Sequence, residues 1–218
     1  MKNQVLSLYE YCIQKLDAKD MDLYELSRFI ITENYKHHGI VHEKQRLTAE
    51  IKELYLEEYL YSGYSEFYVA RNTINQMIGT IRIMKWDTKY KLPIQKIFGI
   101  NPLNVIKSTG TIWHIGRFAV SNSKRVASLS LFKQLLIHAL TPIYQNNTDI
   151  IIAECDSKLI RVLSALGIQF NLLGSSLHYL GSATIPVYLT QSGIINFFNK
   201  YKNLTEPLQG ETENLIYA

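Results

Sequence analysis

The chain has 218 residues, of which 47% are hydrophobic and 19% charged, and it carries a formal net charge of +4. This composition predicts one globular domain over residues 1–218 with a full-sized core. No apolar run reaches the roughly 18 residues that a membrane-spanning helix needs, and the N-terminus lacks a signal-peptide pattern.

Charge and cysteine content restrict the expected partners. The mild basic excess is spread along the chain and lacks the dense stripe of a nucleic-acid-binding protein, so we expect no nucleic acid partner. The excess suits an acidic partner or a phosphorylated ligand, and an ordinary basic surface explains it equally well. Cys12 and Cys155 lie far apart in the sequence, which favours a reducing cytoplasm and gives no metal-binding spacing.

Hydrophobic periodicity predicts five elements in the first half of the chain. They are a strand over residues 5–16, helices over 21–38 and 43–61, and strands over 66–71 and 78–86. The polar face of the second helix carries several charged residues, namely Glu50, Lys52, Glu53, Glu57 and Glu58.

The second half begins with a long connection over 87–109, which we predict to be irregular and which could cover a binding cleft. The remaining predicted elements are a strand over 110–120, a helix over 126–145, a strand over 149–153, a helix over 157–166 that Gly167 ends, strands over 169–180 and 184–189, and a helix over 192–201. This order predicts an α+β fold in three layers. Helices flank a mixed, mostly antiparallel sheet of about seven strands, with one parallel pair.

The segment 111–130 carries the clearest functional signal. A predicted strand ends at Val120, a short polar loop follows, and a helix then begins with small residues in its first turn. The free N–H groups and the positive dipole end of a helix N-terminus attract phosphate, and Arg125 adds a forked cation. We therefore predict a phosphate or pyrophosphate site at this helix start, formed by Lys124, Arg125, Val126, Ala127, Ser128, Leu129 and Ser130.

Three local motifs and the order of elements resemble those of the GNAT superfamily of acyltransferases over roughly residues 5–190. The motifs are IGTIRI at 78–83, RVASLS at 125–130 and LGI at 166–168. They are similar to the hairpin, the phosphate loop and the "LGF" string of that superfamily. The resemblance implies a GNAT-like sheet and transfer of an acyl group from a thioester.

Within this superfamily the chain is most similar to the N-acyl amino acid synthases and the acyl-homoserine lactone synthases. The similar strings are LSRFI at 26–30, GTIRI at 79–83, HIGRFAV at 114–120 and LGSATIP at 180–186. The resemblance implies transfer of a long-chain acyl group from acyl carrier protein, an acidic partner, to an amino acid or other amine. The co-substrate is then an acyl-phosphopantetheine thioester, carried by acyl carrier protein or coenzyme A, and we expect no permanently bound cofactor and no metal.

Several positions depart from the pattern of that branch. His114 stands where the branch has Glu, and Leu163 stands where many GNAT enzymes have a tyrosine general acid. Ser replaces both glycines of the phosphate loop. An acidic pair like that of the lactone synthases is not recognisable, which favours a plain N-acyltransferase.

The resemblance assigns roles to the strand before the phosphate loop. The backbone of Phe118, Ala119 and Val120 is expected to pair with the pantetheine amides and to bind the oxyanion. His114 is the candidate base, since an imidazole titrates near neutral pH. The alternative for His114 is a buried strand histidine that is bonded to a neighbouring group.

Three arginines lie in otherwise apolar elements: Arg28, Arg82 and Arg117. We expect Arg117 to act in catalysis and Arg28 and Arg82 to bind substrate, by clamping a carboxylate or orienting the thioester. The alternative is a buried network with acids, of which Glu33, Glu50 and Glu66 are examples. Trp113 could line an acyl tunnel as a substrate-binding residue, and ordinary core packing is the alternative.

Two other functions compete with long-chain N-acyl transfer. One is N-acetyl transfer from acetyl-CoA, and the other is a relative that binds a thioester or a partner protein without catalysis. The serines of the phosphate loop and Leu163 are the features that keep the non-catalytic alternative open.

Overall fold

The computed structural model describes residues 11–16, 20–39, 44–121, 125–179 and 182–204. Within these ranges the strands are β1 Tyr11–Lys15, β2 Ser65–Asn72, β3 Met77–Lys85, β4 Ile112–Val120, β5 Ile150–Asp156, β6 Asn171–Leu172, β7 Leu177–Tyr179 and β8 Ser182–Thr190. The helices are α1 Asp20–His38, α2 Lys44–Tyr61, α3 Pro93–Phe98, α4 Pro102–Val105, α5 Arg125–Gln145, α6 Ser157–Ala165 and α7 Gln191–Tyr201.

The strands form one mixed sheet in the order β1-β2-β3-β4-β5-β8-β6, with β7 also paired to β8. All neighbours are antiparallel except β4 and β5, which are parallel. Helix α5 makes the crossover between these two strands, because a parallel pair cannot be joined by a tight turn. The predicted α+β fold with a mostly antiparallel sheet and one parallel pair is confirmed.

The helices cover the two faces of the sheet with separate apolar clusters. Helices α5, α6 and α7 pack on one face, where residues such as Leu135 and Phe197 are fully buried against Ile81 and Ile151. Helices α1 and α2 lie on the other face, against β2. Together these layers give the three-layer arrangement that the sequence predicts.

The segment 87–109 is more ordered than we predicted. It contains the short helices α3 and α4, and each has a proline in its first turn, where the missing N–H costs nothing. The side chains of Leu92 and Ile94 are fully buried in a cluster with Trp86, on the face of the sheet that carries α1 and α2. The segment therefore covers this face as a packed layer.

The predicted strand over 169–180 is also wrong in detail, because it forms two short pieces, β6 and β7. Gly174 lies between them, and a Cβ there would lie 2.9 Å from the Ile100 side chain. This close approach of the backbone to the segment 87–109 interrupts the strand. Because β6 and β7 are separate, the sheet has eight strands within the described residues. None of the helices in the described ranges is long and apolar enough to cross a membrane.

One half-buried histidine gives the fold a predictable pH dependence. His138 on α5 stacks on Tyr68 of β2 with ring centroids 5.4 Å apart, and burial lowers the pKa of His138 to about 4. Between an unfolded pKa of about 6.5 and this value, the unfolded chain binds a proton that the folded chain does not. Stability contributed by neutral His138 is therefore present above this window and is lost as the pH falls through it.

We expect His138→Phe to remove this dependence, because phenylalanine keeps the stacked ring and cannot take up a proton. Urea unfolding at pH 7 and pH 4.5 measures the free energy of unfolding of both proteins. Between these pH values the free energy of unfolding of the unaltered protein should fall by roughly 2–3 kcal/mol more than that of the variant. Equal losses in the two proteins would show that His138 does not titrate in this way.

Candidate active site

The parallel strands β4 and β5 separate in the middle of the sheet. They pair only through Ile112 with Ile150, Trp113 with Ile151 and His114 with Ile152, although both strands continue. Beyond this point β4 stays paired with β3, and β5 stays paired with β8. We call the resulting opening between residues 115–120 and 153–156 the wedge. Among the described residues, the facing backbone groups of the wedge have no partner strand, so they are available to an extended ligand.

A β-bulge shapes the β4 side of the wedge. Arg82 of β3 pairs with Gly116, and Thr80 pairs with Ala119, so β4 has one more residue than β3 in this interval. Arg117 takes up this extra length with a φ of 56°, a left-handed conformation that costs a non-glycine residue roughly 1–2 kcal/mol. Bulges of this kind redirect a strand and re-aim a side chain. Here the redirected side chain is that of Arg117.

Arg117 and Arg82 share one buried carboxylate on α2. The Arg82 Nη1 donates to both oxygens of Glu58, each at 2.8 Å, and the Arg117 Nε donates to Glu58 Oε1 at 2.6 Å. The side chains of Arg82 and Glu58 are 1% and 0% exposed. Arg117 also donates to Glu57 at 2.7 Å, and Glu57 accepts from Lys96 of α3 at 3.2 Å.

The same series continues through His114 to β5. The Arg82 Nη2 lies 3.1 Å from His114 Nδ1, and His114 Nε2 lies 2.9 Å from Glu154 Oε2. A guanidinium can only donate, so Nδ1 must accept and the proton must lie on Nε2, which donates to Glu154. We call the connected residues the polar chain: Lys96, Glu57, Arg117, Glu58, Arg82, His114 and Glu154.

The opposite charges of the polar chain stabilise one another. Burial raises the pKa of Glu57, but the attraction of Arg117 and Lys96 outweighs it, and the net pKa lies below the usual range. Burial lowers the pKa of Arg117, and the adjacent Glu58 and Glu57 more than reverse this. Both groups are therefore ionised at neutral pH, and the carboxylates of α2 neutralise the arginines.

The predicted phosphate site lies at the end of β4, beside the wedge. The backbone N–H of Ser121 donates to Ile78 at 2.8 Å and ends the pairing of β4, and α5 begins at Arg125. Leu129 is exposed and Ser130 half-buried. Lys124 and the side chains of Arg125, Val126, Ala127 and Ser128 lie outside the described residues, so the phosphate-binding role stays a prediction.

The structure brings three of the predicted site residues together, and the other two are not among the described contacts of the polar chain. Arg82, His114 and Arg117 belong to the polar chain. Trp113 lies on the opposite face of β4, where its indole N–H donates to Asp149 at 2.9 Å. Arg28 is exposed on α1. Their substrate-binding roles stay predictions, and the buried surroundings of Arg82 agree with the structural alternative.

The backbone of the three predicted pantetheine-binding residues follows the bulge on β4. Ala119 and Val120 pair with Thr80 and Gly79 of β3 on one side. The Phe118 ring packs edge-on against Phe132 of α5, with centroids 4.7 Å apart. Their other edge faces the wedge, which is the position that strand-like pairing with a ligand requires.

The acids that we named as partners of the buried arginines were wrong. Glu33 pairs with Lys36, and Glu50 pairs with Arg46, while Glu66 pairs with Lys15. The predicted polar face of α2 was also wrong at its end, because Glu58 is fully buried.

A periodicity signal could have identified Glu58. The buried positions of α2 are Ile51, Leu54, Glu58 and Tyr61, which follow one helical face. A glutamate on an otherwise apolar face indicates an opposing cation. Glu154 gave no comparable signal, because a short strand sequence does not show which neighbouring strand supplies the partner.

We expect Glu58→Ala to destabilise the protein by about 3–5 kcal/mol, because it leaves two guanidinium groups without their shared carboxylate. Glu53→Ala on the exposed face of the same helix is the control and should change stability by less than about 0.5 kcal/mol. Denaturant unfolding at pH 7 measures both. A loss below about 1 kcal/mol for Glu58→Ala would contradict a structural role for this carboxylate.

A comparison of the sequence with known protein families finds a match. The sequence model of a family described as N-acyl amino acid synthase FeeM matches residues 30–192. A comparison with curated protein sequences finds no significant match.

Solved structures share the fold over nearly their whole length. FeeM, an N-acyl amino acid synthase from uncultured soil microbes, is 18% identical with a TM-score of 0.60, covering 84% of this chain and 91% of FeeM. BjaI, described as a CoA-dependent acyl-homoserine lactone synthase, is 12% identical with a TM-score of 0.56 and covers 90% of each chain. A GNAT-family acetyltransferase from Staphylococcus aureus Mu50 is 17% identical with a TM-score of 0.53, covering 83% of this chain and 99% of the acetyltransferase. These likenesses confirm the expected GNAT fold.

Proposed function

Since the chain belongs to the FeeM family of N-acyl amino acid synthases, we propose that it moves a long-chain acyl group from acyl carrier protein to an amino acid or related amine. The chain is an acyltransferase, and the donor and the acceptor are the parts that we propose. The wedge between β4 and β5 carries the proposal. It is the one place in the described sheet where two neighbouring strands part and leave backbone groups for an extended ligand.

The donor is proposed to bind along β4 in the wedge. A pantetheine arm has two amides, which can pair with the free backbone edge of Phe118, Ala119 and Val120. Its phosphate is then proposed to lie at the N-terminus of α5, which begins at Arg125. A single phosphate suits a loop with serines in place of glycines.

Acyl carrier protein is the proposed donor because it is acidic and the chain has a net charge of +4. A coenzyme A thioester has the same reactive arm, and BjaI is described in complex with isopentyl-CoA. Such thioesters belong to cytoplasmic metabolism, so we propose that the protein acts there.

The reaction needs an amine to attack the thioester carbonyl and donors for the oxyanion that forms. Backbone N–H groups at the bulge are suited to the oxyanion, since their direction is fixed before the substrate binds. Arg117 keeps this geometry, because its pairs with Glu57 and Glu58 hold the left-handed residue in place. His114 and Glu154 are proposed to take part in removing the amine proton, and His114 donates a hydrogen bond to Glu154.

Transfer can be measured by incubating the purified chain with palmitoyl-acyl carrier protein, palmitoyl-CoA or acetyl-CoA and a mixture of the twenty protein amino acids. Released thiol gives the rate, and mass spectrometry identifies the N-acyl product. We expect the palmitoyl carrier protein to be the best donor. Preference for acetyl-CoA would instead establish an ordinary N-acetyltransferase, and binding without turnover would support the non-catalytic alternative.

We expect Arg125→Glu to raise the KM for the carrier-protein donor by roughly 10–100-fold, because it replaces a phosphate-binding cation with an anion that repels the phosphate.

We expect His114→Ala to lower kcat by about 100-fold. Lys52→Glu, at an exposed position on α2, is the charge-reversal control. Full activity in both site variants would contradict the assignment of this site.

A further inference from the structure

Glu154 lies on β5 at the inner edge of the wedge, two residues beyond the last position at which β5 pairs with β4. Its side chain is 11% exposed. Resting on the proposed N-acyl transfer, we propose that Glu154 is the proton acceptor of the reaction and that His114 is the residue that positions it.

The two oxygens of this carboxylate have different surroundings. Oε2 accepts from His114 Nε2 at 2.9 Å. Oε1 is closed to solvent and has no hydrogen-bond donor within the described part of the chain. A buried carboxylate oxygen without a donor is costly, and a catalytic role is one of the explanations for such a group in a folded protein. The N–H of an attacking amine is a donor of the required kind.

His114 itself is poorly placed to accept the proton. Its side chain is 2% exposed, and Nδ1 already accepts from Arg82 at 3.1 Å. A second proton would have to bind at Nδ1, directly against the guanidinium that donates to it. The imidazole therefore connects a fixed cation to Glu154 and fixes the direction of the carboxylate.

Gly116 supports this positioning role. A Cβ at this position would lie 2.9 Å from His114 Cε1 and 3.7 Å from Arg82 Nη2. Only a glycine two residues after His114 leaves the ring room to reach both partners. Arg82 is held in turn by Glu58 on α2, so the orientation of Glu154 is set by packed elements.

In the proposed step, Glu154 Oε1 receives one proton from the amine and later returns it to the leaving thiolate. The neutral amine nitrogen attacks the thioester carbon, which forms a C–N bond and an oxyanion, and a nitrogen proton passes to Glu154 Oε1. The oxyanion then reforms the carbonyl and the C–S bond breaks, so that the pantetheine sulfur leaves as a thiolate. The proton on Glu154 passes to this thiolate, directly or through water, which yields amide and thiol and restores the carboxylate.

Two glutamine variants distinguish the proposed role of Glu154 from that of His114. Glu154→Gln still accepts the hydrogen bond from His114 but cannot take up a proton. His114→Gln presents an amide N–H near the position of Nε2 and cannot act as a base. Glu66→Gln, on a strand glutamate paired with Lys15, is the control. The assay uses palmitoyl-acyl carrier protein and the amino acid mixture, and it measures kcat and the donor KM.

We expect Glu154→Gln to lower kcat by at least about 100-fold with the donor KM within about twofold, because general-base catalysis contributes to the chemical step. We expect kcat to fall by less than about tenfold in His114→Gln and to equal that of the unaltered enzyme in Glu66→Gln. Activity of Glu154→Gln within about threefold of the unaltered enzyme overturns the proposal, as does a loss in His114→Gln as large as that in Glu154→Gln.

Circular dichroism shows whether each variant folds. Should Glu154→Gln fail to fold, Glu154→Asp withdraws the carboxylate by one methylene and is expected to lower kcat about tenfold or more, since misplacement by about 1 Å is costly. An unchanged kcat in Glu154→Asp overturns the proposal. Absence of transfer by the unaltered enzyme contradicts the proposed function, whereas an active enzyme with an active Glu154→Gln contradicts this inference alone.

Discussion

The fully buried carboxylate of Glu58 is the group on which the arrangement of this site depends. It accepts from Arg82 on β3 and from Arg117 on β4, so one anion of α2 pairs with a cation from each of two neighbouring strands. Either arginine left alone in this low-dielectric layer would cost several kcal/mol. The pairing therefore holds α2 against the sheet at the place where β4 bends.

The bend has consequences for both sides of the wedge. On β4, the left-handed Arg117 and the bulge turn the strand away from β5, and pairing between the two strands stops at His114. On β5, Glu154 is left beside the opening, where it is held by His114. The polar chain, whose opposite charges compensate one another, thus supports an opening whose facing backbone groups have no partner strand among the described residues. Groups that are oriented before a ligand binds are what a preorganised site requires.

The sequence predicted the order of helices and strands along the chain well, because amphipathic periodicity and turn signals are local properties. The parallel pair, the hairpin of β2 and β3 and the cap at Gly167 were all visible in this way. The burial of Glu58 was not predicted, since the choice of a partner for a buried arginine depends on tertiary packing. The motif around His114 predicted a strand, which is β4, and could not show that both ring nitrogens of His114 are bonded.

The proposed function requires that the wedge binds the acyl-pantetheine donor. Hydrogen–deuterium exchange of the full chain tests this most directly, with and without an acyl carrier protein whose pantetheine carries a palmityl thioether in place of the thioester. With the thioether we expect slower amide exchange over residues 115–120 of β4 than with the unacylated carrier protein. Binding of the thioether that leaves exchange in this segment unchanged would contradict donor binding in the wedge.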